Sequence, residues 1–221
     1  MGSLTLLELL TDLTKAFSET FLMCGIAIVF SIVLGVPLGL FIYITGKGLF
    51  WENRVLNIIG GLLINIIRST PFVILLVLLI PFTQKLVGTT IGPGAASVPL
   101  TVAAIAFYAR LVESSLLEVD KGVIEAATAA GATVFMIIRD VLLAEALPGL
   151  FRGLTVTAIS LVGYSAMAGI VGGGGVGDLA IRFGYYRYET NVMIVTVISL
   201  ILLVQGLQAL GDLIAKKADK R

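Results

Sequence analysis

The chain has 221 residues, 58% of them apolar and 13% charged, against about 45–50% apolar and about 25% charged in a soluble domain. Those charges are too few to cover a water-facing surface, which excludes a soluble globular protein and leaves an integral helical membrane protein. The net charge of +1 supplies no field for nucleic acid, and the absence of histidine removes the commonest catalytic base and metal ligand. The single cysteine, Cys24, has no partner for an internal disulfide.

Residues 1–19 carry Lys15 against Glu8, Asp12 and Glu19, so the basic start of a cleavable signal peptide is missing and an amphipathic lead-in along the membrane surface is expected. A bilayer core takes about 20 apolar residues of helix. The weakly charged runs predict five spans, at 18–45, 58–82, 95–113, 151–172 and 190–213, in one membrane domain covering 1–221. In the first span Gly35-x-x-x-Gly39 flanks Pro37, which predicts close helix packing with a kink. The second contains Arg68-Ser69-Thr70-Pro71. Pro71 lacks an N–H and disfavours helix at Thr70, so a break near the cytoplasmic interface is expected. Arg68 then either snorkels at a helix end or faces a wet cavity. Phe82 to Pro99 reads as an outside loop, after which the third span runs on to Arg110.

With the N-terminus outside, the inner segments hold Lys47, Arg54, Arg68, Arg110, Lys121, Arg139, Arg152, Lys216, Lys217, Lys220 and Arg221. The outer segments hold only Lys15, Lys85, Arg182 and Arg187. The positive-inside rule therefore puts the C-terminal tail and the stretch Val119–Pro148 in the cytoplasm.

That stretch predicts two short helices meeting at Gly131. Asp120 is placed to cap the first, which is rich in alanine (Ala126, Ala127, Ala129, Ala130), a strong helix former. Gly131 sits where a left-handed residue closes a helix, and Thr133 is placed to cap the second. Val134, Ile137, Ile138, Val141 and Leu142 then form an apolar stripe, and Pro148 is expected to end the helix, with the fourth span starting near Gly149. Two readings stand on spacing alone: a cytoplasmic loop that happens to be helical, or a plug for a groove on a partner.

Glu125-Ala126-Ala127-x-x-x-Gly131, followed after nine residues by Val141-x-Leu143, resembles the EAA loop of ATP-binding-cassette importer permeases. The proline that closes the family pattern is replaced here by Ala144, with Leu147-Pro148 shortly after. Arg68-Ser69-Thr70-Pro71-Phe72 is similar to a segment of amino-acid importer permeases. Leu161 to Gly169, the Gly172–Asp178 loop and Arg182-Phe183-Gly184-Tyr185 resemble the methionine-importer permeases. This resemblance implies an all-α, polytopic type I permease of five transmembrane helices in the bacterial inner membrane. It also implies a permease homodimer, two ATPase subunits that hold ATP and magnesium, and an extracytoplasmic methionine-binding lipoprotein, with L- and D-methionine as substrates. No catalytic residue, metal or cofactor is expected on this chain. The coupling residues it implies are Glu125, Ala126, Ala127, Gly131, Val134 and Arg139.

Gly172-x-Gly174-x-x-Gly177 matches a dinucleotide-binding pattern by letters, but follows a membrane span where that pattern needs a strand. A flexible loop at the outer mouth is expected instead, with Gly172, Gly174, Gly175 and Gly177 offering bare backbone to a twin subunit or the binding protein. No G-x-x-x-x-G-K-[ST] phosphate cradle is present, so energy must come from a partner or an ion gradient. Four spans show no ionisable residue in their middles, which counts against an ion-coupled carrier. A membrane enzyme would need a convergent acid, base or nucleophile, and none is evident. The candidate path residues are Arg68, Tyr164, Ser165, Met167, Asn191 and Met193. Met167 is suited to a polarisable gate, and helix packing is the alternative role for the whole set.

Overall fold

The computed structural model describes residues 6–219, and every element among them is helical. Residues 1–5 of the expected lead-in, and Lys220 and Arg221 of the basic tail, lie outside the described residues.

α1 (Leu6–Phe30), a π-helical turn (Ser31–Gly35) and α2 (Val36–Ile44) form one rod. The lead-in is therefore the first part of the span rather than a separate surface helix. The widened turn falls just before Pro37, where the proline cannot supply its own backbone donor. α3 (Arg54–Ser69) starts under Asn53, whose side-chain oxygen accepts from the N–H groups of Val55 and Leu56 at 3.1 Å. The chain breaks at Thr70-Pro71, as the sequence predicts, and α4 (Phe72–Leu78) leaves at 104° to α3. α5 (Ile80–Val87) ends at Gly88, whose φ of +80° is left-handed.

α6 (Pro93–Leu117) is the centre of the fold. Of its most apolar stretch 61% is buried, against 28% for the α1–α2 rod. Its small residues explain this. Ala95, Ala96, Ala104, Ala106 and Ala109 are buried and let neighbouring backbones approach, and Gly39 and Gly35 of the first rod lie directly against α6. The outside loop expected up to Pro99 is shorter than that. Pro93 starts the helix, and Pro99 lies inside it with its neighbours buried on both sides.

α7 (Lys121–Ala129) is followed by α8 (Val134–Met136), a π-helical turn (Ile137–Leu142) and α9 (Leu143–Gly169), the last three in unbroken succession. Pro148 therefore does not close a helix, contrary to expectation. It removes one backbone bond, but Leu142, Ala146 and Leu150 around it are buried with Tyr108, Val112 and Leu116 of α6, and that packing carries the helix through. α10 (Gly175–Leu179), a π-helical turn (Ala180–Tyr185) and α11 (Thr190–Ala218) complete the chain.

Among the described residues, three helices qualify by length and apolar composition to cross a membrane: the first rod, α6 and α11. The bent α3–α4 pair makes a fourth if counted as one span. The remaining expected span falls on α9, which packs against both α6 and α11.

Candidate functional site

At one end of the molecule the α7 unit is built by three caps, each anticipated by the sequence. Asp120 accepts from Gly122 N–H at 2.7 Å. Gly131, at φ +82°, closes the helix by donating to the Thr128 carbonyl at 3.0 Å, while Ala132 donates to that of Ala127 at 3.1 Å. Thr133 Oγ1 accepts from Met136 N–H at 3.4 Å. No residue of α7 is buried. Glu125, Ala126 and Gly131 are exposed and Ala127 is half-buried, and Glu125 makes no ion pair among the described residues. Arg139 is exposed beside Asp140, at 3.6 Å.

The apolar stripe does not face outward. Ile137, Ile138 and Leu142 are buried, and Val134 packs on the same cluster as Tyr108, Val112 and Leu116. The stripe anchors the second helix to α6 and is not itself a docking face. What this end presents is Phe135, 70% exposed, with Met136, 50% exposed, and Val123. Periodicity in the sequence shows which residues share a face but not which face is outside. The available signal was Phe135, an aromatic residue one step off the stripe.

At the opposite end the glycine segment is packed, not open. Gly172, Gly174 and Gly175 have φ of +82°, +77° and +86°. Glu19 Oε2 accepts from Gly175 N–H at 2.8 Å and Thr20 Oγ1 from Val176 N–H at 3.0 Å, so α1 caps α10. A Cβ at Gly175 would lie 2.6 Å from Met23 Cε, and one at Gly177 would lie 2.7 Å from the Ala166 carbonyl oxygen. Gly173, Gly175 and Gly177 are buried. Intramolecular closeness to α1 and α9 thus accounts for these glycines, and the segment enters a helix at Gly175 where a flexible loop was expected. Thr20→Val keeps the shape but leaves the buried Val176 N–H without its acceptor. It should lower stability by about 1–3 kcal/mol, read as a lower unfolding midpoint in detergent, while Thr20→Ser stays near wild type.

Between the two ends, a cavity of about 100 Å³ opens at the α3–α4 break, lined by Arg68, Thr70, Phe72, Ala103, Phe107 and Tyr164 among others. The Phe72 and Tyr164 rings stack at 4.7 Å and 9°, and the Arg68 guanidinium lies 5.9 Å from the centre of the Phe107 ring. Two candidate path residues from separate spans, Arg68 and Tyr164, therefore meet here. Met167 is exposed one turn further along α9, on a face shared with Gly163 and Ile170. The others lie elsewhere. Ser165 is buried and donates to the Val162 carbonyl at 2.8 Å. Asn191 is exposed at the start of α11, and Met193 packs against Gly184. Phe72 and Phe107 are the site residues that sequence reasoning passed over, because aromatic residues in apolar runs read as core.

Comparison with known proteins bears on this arrangement. The family described as binding-protein-dependent transport system inner membrane component matches residues 35–221. The chain is 51% identical over 209 residues to the probable D-methionine transport system permease protein MetI of Vibrio cholerae, covering 95% of this chain and 93% of that protein. It is 47% identical over 212 residues to the methionine import system permease protein MetP of Bacillus subtilis, covering 96% of each. Among solved structures, a chain of the MetNI methionine ABC transporter in an inward-facing conformation superposes with a TM-score of 0.92 at 46% identity, over 95% of this chain and 97% of that one. A chain of an amino acid ABC transporter with histidines gives a TM-score of 0.78 at 19% identity, a likeness of fold alone.

Proposed function

This chain belongs to the inner membrane components of binding-protein-dependent transport systems, and from that premise we propose that it is the permease subunit of an ATP-driven methionine importer. It sits in the bacterial inner membrane as a multi-pass protein of five spans, with its N-terminus outside and its C-terminus in the cytoplasm. Two copies form the permease, and two ATPase subunits hold the ATP and magnesium that this chain does not bind. An extracytoplasmic lipoprotein delivers L- or D-methionine. The observation that carries the reading is the likeness to methionine permeases over nearly the whole chain.

The geometry supplies the mechanics. α7 is an unburied helix with a capped start and a glycine-closed end, so it holds its shape without a core of its own. A rigid surface of this kind suits a cleft on a moving partner. ATP closes the ATPase dimer, the two copies of α7 come together, and the path reopens to the outside. Glu125 pairs with a cation of the ATPase, and Ala126, Ala127, Gly131, Val134 and Arg139 shape or flank the contact. Arg68, Tyr164 and Met167 lie along the path.

Purification with the ATPase and the binding protein, native mass spectrometry and radiolabelled methionine uptake test this together. A two-plus-two assembly that imports methionine only with ATP is the expected result. Failure to capture an ATPase, with uptake driven by a proton or sodium gradient, would overturn it. Glu125→Lys and Gly131→Pro should each uncouple ATP hydrolysis from uptake. Gly131→Pro acts by replacing the left-handed residue with one fixed at φ near −65°, and coupled uptake in both variants would refute the role given to α7.

A further inference from the structure

Arg68 has a position and a neighbourhood that a general place along the path does not explain. Its aromatic contact, Phe107, stands about 21 Å from the start of α6 at Pro93 and about 15 Å from its end at Leu117, at 1.5 Å per residue. Arg110, about one turn further on and counted above with the inner charges, puts Phe107 toward the inner end of that span. Arg68 reaches this level from the last turn of α3. An arginine inside a span is costly, and in membrane proteins it is paired, snorkels to the interface or lies on a substrate route.

No ion pair to Arg68 is formed among the described residues, and its guanidinium has the Phe107 ring as its neighbour. Thr70 does not serve it, because the Thr70 hydroxyl donates to the Ile66 carbonyl at 2.9 Å. The rest of the cavity wall is aromatic or apolar: Phe72 and Tyr164 in a stacked pair, with Ala103 beside them. The site also lies at a broken helix, a setting in which transporters hold substrate groups. One unpaired cation above an aromatic wall is complementary to an anion that carries an unbranched apolar tail.

We propose that Arg68 binds the α-carboxylate of the amino acid in transit, while Phe72, Phe107 and Tyr164 receive its apolar side chain. This deepens the methionine-importer reading and rests on it. The guanidinium gives charge-assisted hydrogen bonds to the carboxylate. The thioether of methionine is soft and polarisable, and lies favourably against aromatic rings. The site is a transient station, weak enough to release what it takes.

The test uses the full complex in nanodiscs and proteoliposomes, with two probes: L-methionine and L-methioninol, which lacks the carboxylate. With the binding protein left out, saturation-transfer NMR should show methionine contacting the wild-type complex and methioninol contacting it at least about tenfold less, as loss of a charge-assisted contact requires. Arg68→Gln should abolish the methionine signal and cut the methionine imported per ATP hydrolysed by about tenfold or more. Arg68→Lys, which keeps the charge but not the planar fork, should restore part of both. Native mass spectrometry of Arg68→Gln should give the same assembly as wild type, and a failure to assemble would assign Arg68 a structural role and overturn the site. Equal methioninol binding, or full uptake by Arg68→Gln, would also overturn the site while leaving the importer intact. Absence of ATP-driven methionine uptake in the wild type would instead overturn the importer reading.

Discussion

Phe135→Asp should yield a folded permease that no longer captures its ATPase. Phe135 is 70% exposed, so little of this chain's own core is lost when the ring goes. A large aromatic side chain held out at a polar end is an expected anchor for a partner pocket, and truncation of such an anchor typically costs 2 kcal/mol or more, roughly 30-fold in affinity. Aspartate adds a charge that must be desolvated in the same pocket, so the expected loss is about 100-fold. Native mass spectrometry of the co-expressed subunits reads it directly, and Phe135→Leu should retain most of the complex. Full assembly by Phe135→Asp would remove Phe135 from the contact. Ile138→Asp makes the contrast, because Ile138 is buried on the α6 cluster. That variant should fail to fold rather than fail to dock.

Gly39→Leu should prevent the fold from forming. A Cβ at Gly39 would overlap the Ala109 carbonyl oxygen and lie 2.7 Å from Val112 Cβ, contacts that backbone and a β-branched side chain cannot relieve by a small rotation. The first rod would have to move off α6, the most buried helix of the three that qualify as spans. Overpacking costs about 1–3 kcal/mol where the surroundings yield, and here they include the backbone of the central helix, so loss of the folded species on size exclusion is the expected result. Gly35→Ala, whose Cβ would meet its neighbours at 3.3 Å, should be much milder. Gly61→Ala, with open space around it, should stabilise α3 by about 0.5–1 kcal/mol. Similar midpoints for all three would refute the packing account of Gly35-x-x-x-Gly39.

The elements that the sequence made legible are those set by local chemistry. Asp120, Gly131 and Thr133 occupy their caps because each cap needs only its own few residues. The break at Thr70-Pro71 was legible for the same reason. What could not be read depends on distant residues. Pro148 reads as a terminator until Leu142, Ala146 and Leu150 are seen packed on α6. Gly172 to Gly177 read as a loose loop until Glu19 and Thr20, more than 150 residues away, are found capping α10. The stripe from Val134 to Leu142 was identified correctly as apolar, but its direction depends on where α6 lies. Of the candidate path residues, Arg68 and Tyr164 meet because the 104° bend at α3–α4 carries Phe72 onto Tyr164, a turn whose angle no local motif specifies.

The continuous helical run from Val134 to Gly169, with its π-helical turn at Ile137–Leu142, has a mechanical consequence. Because Pro148 does not interrupt it, the residues beside Gly131 and those beside the capped glycines belong to one lever, with α6 as its bearing near Leu142 to Leu150. At 1.5 Å per residue its arm is about 54 Å long, so a tilt of about 5° sweeps one end by about 5 Å relative to the other. A small rotation imposed at one end thus becomes a displacement the width of a side chain at the other. The clasp of Glu19 and Thr20 is placed where that sweep is delivered.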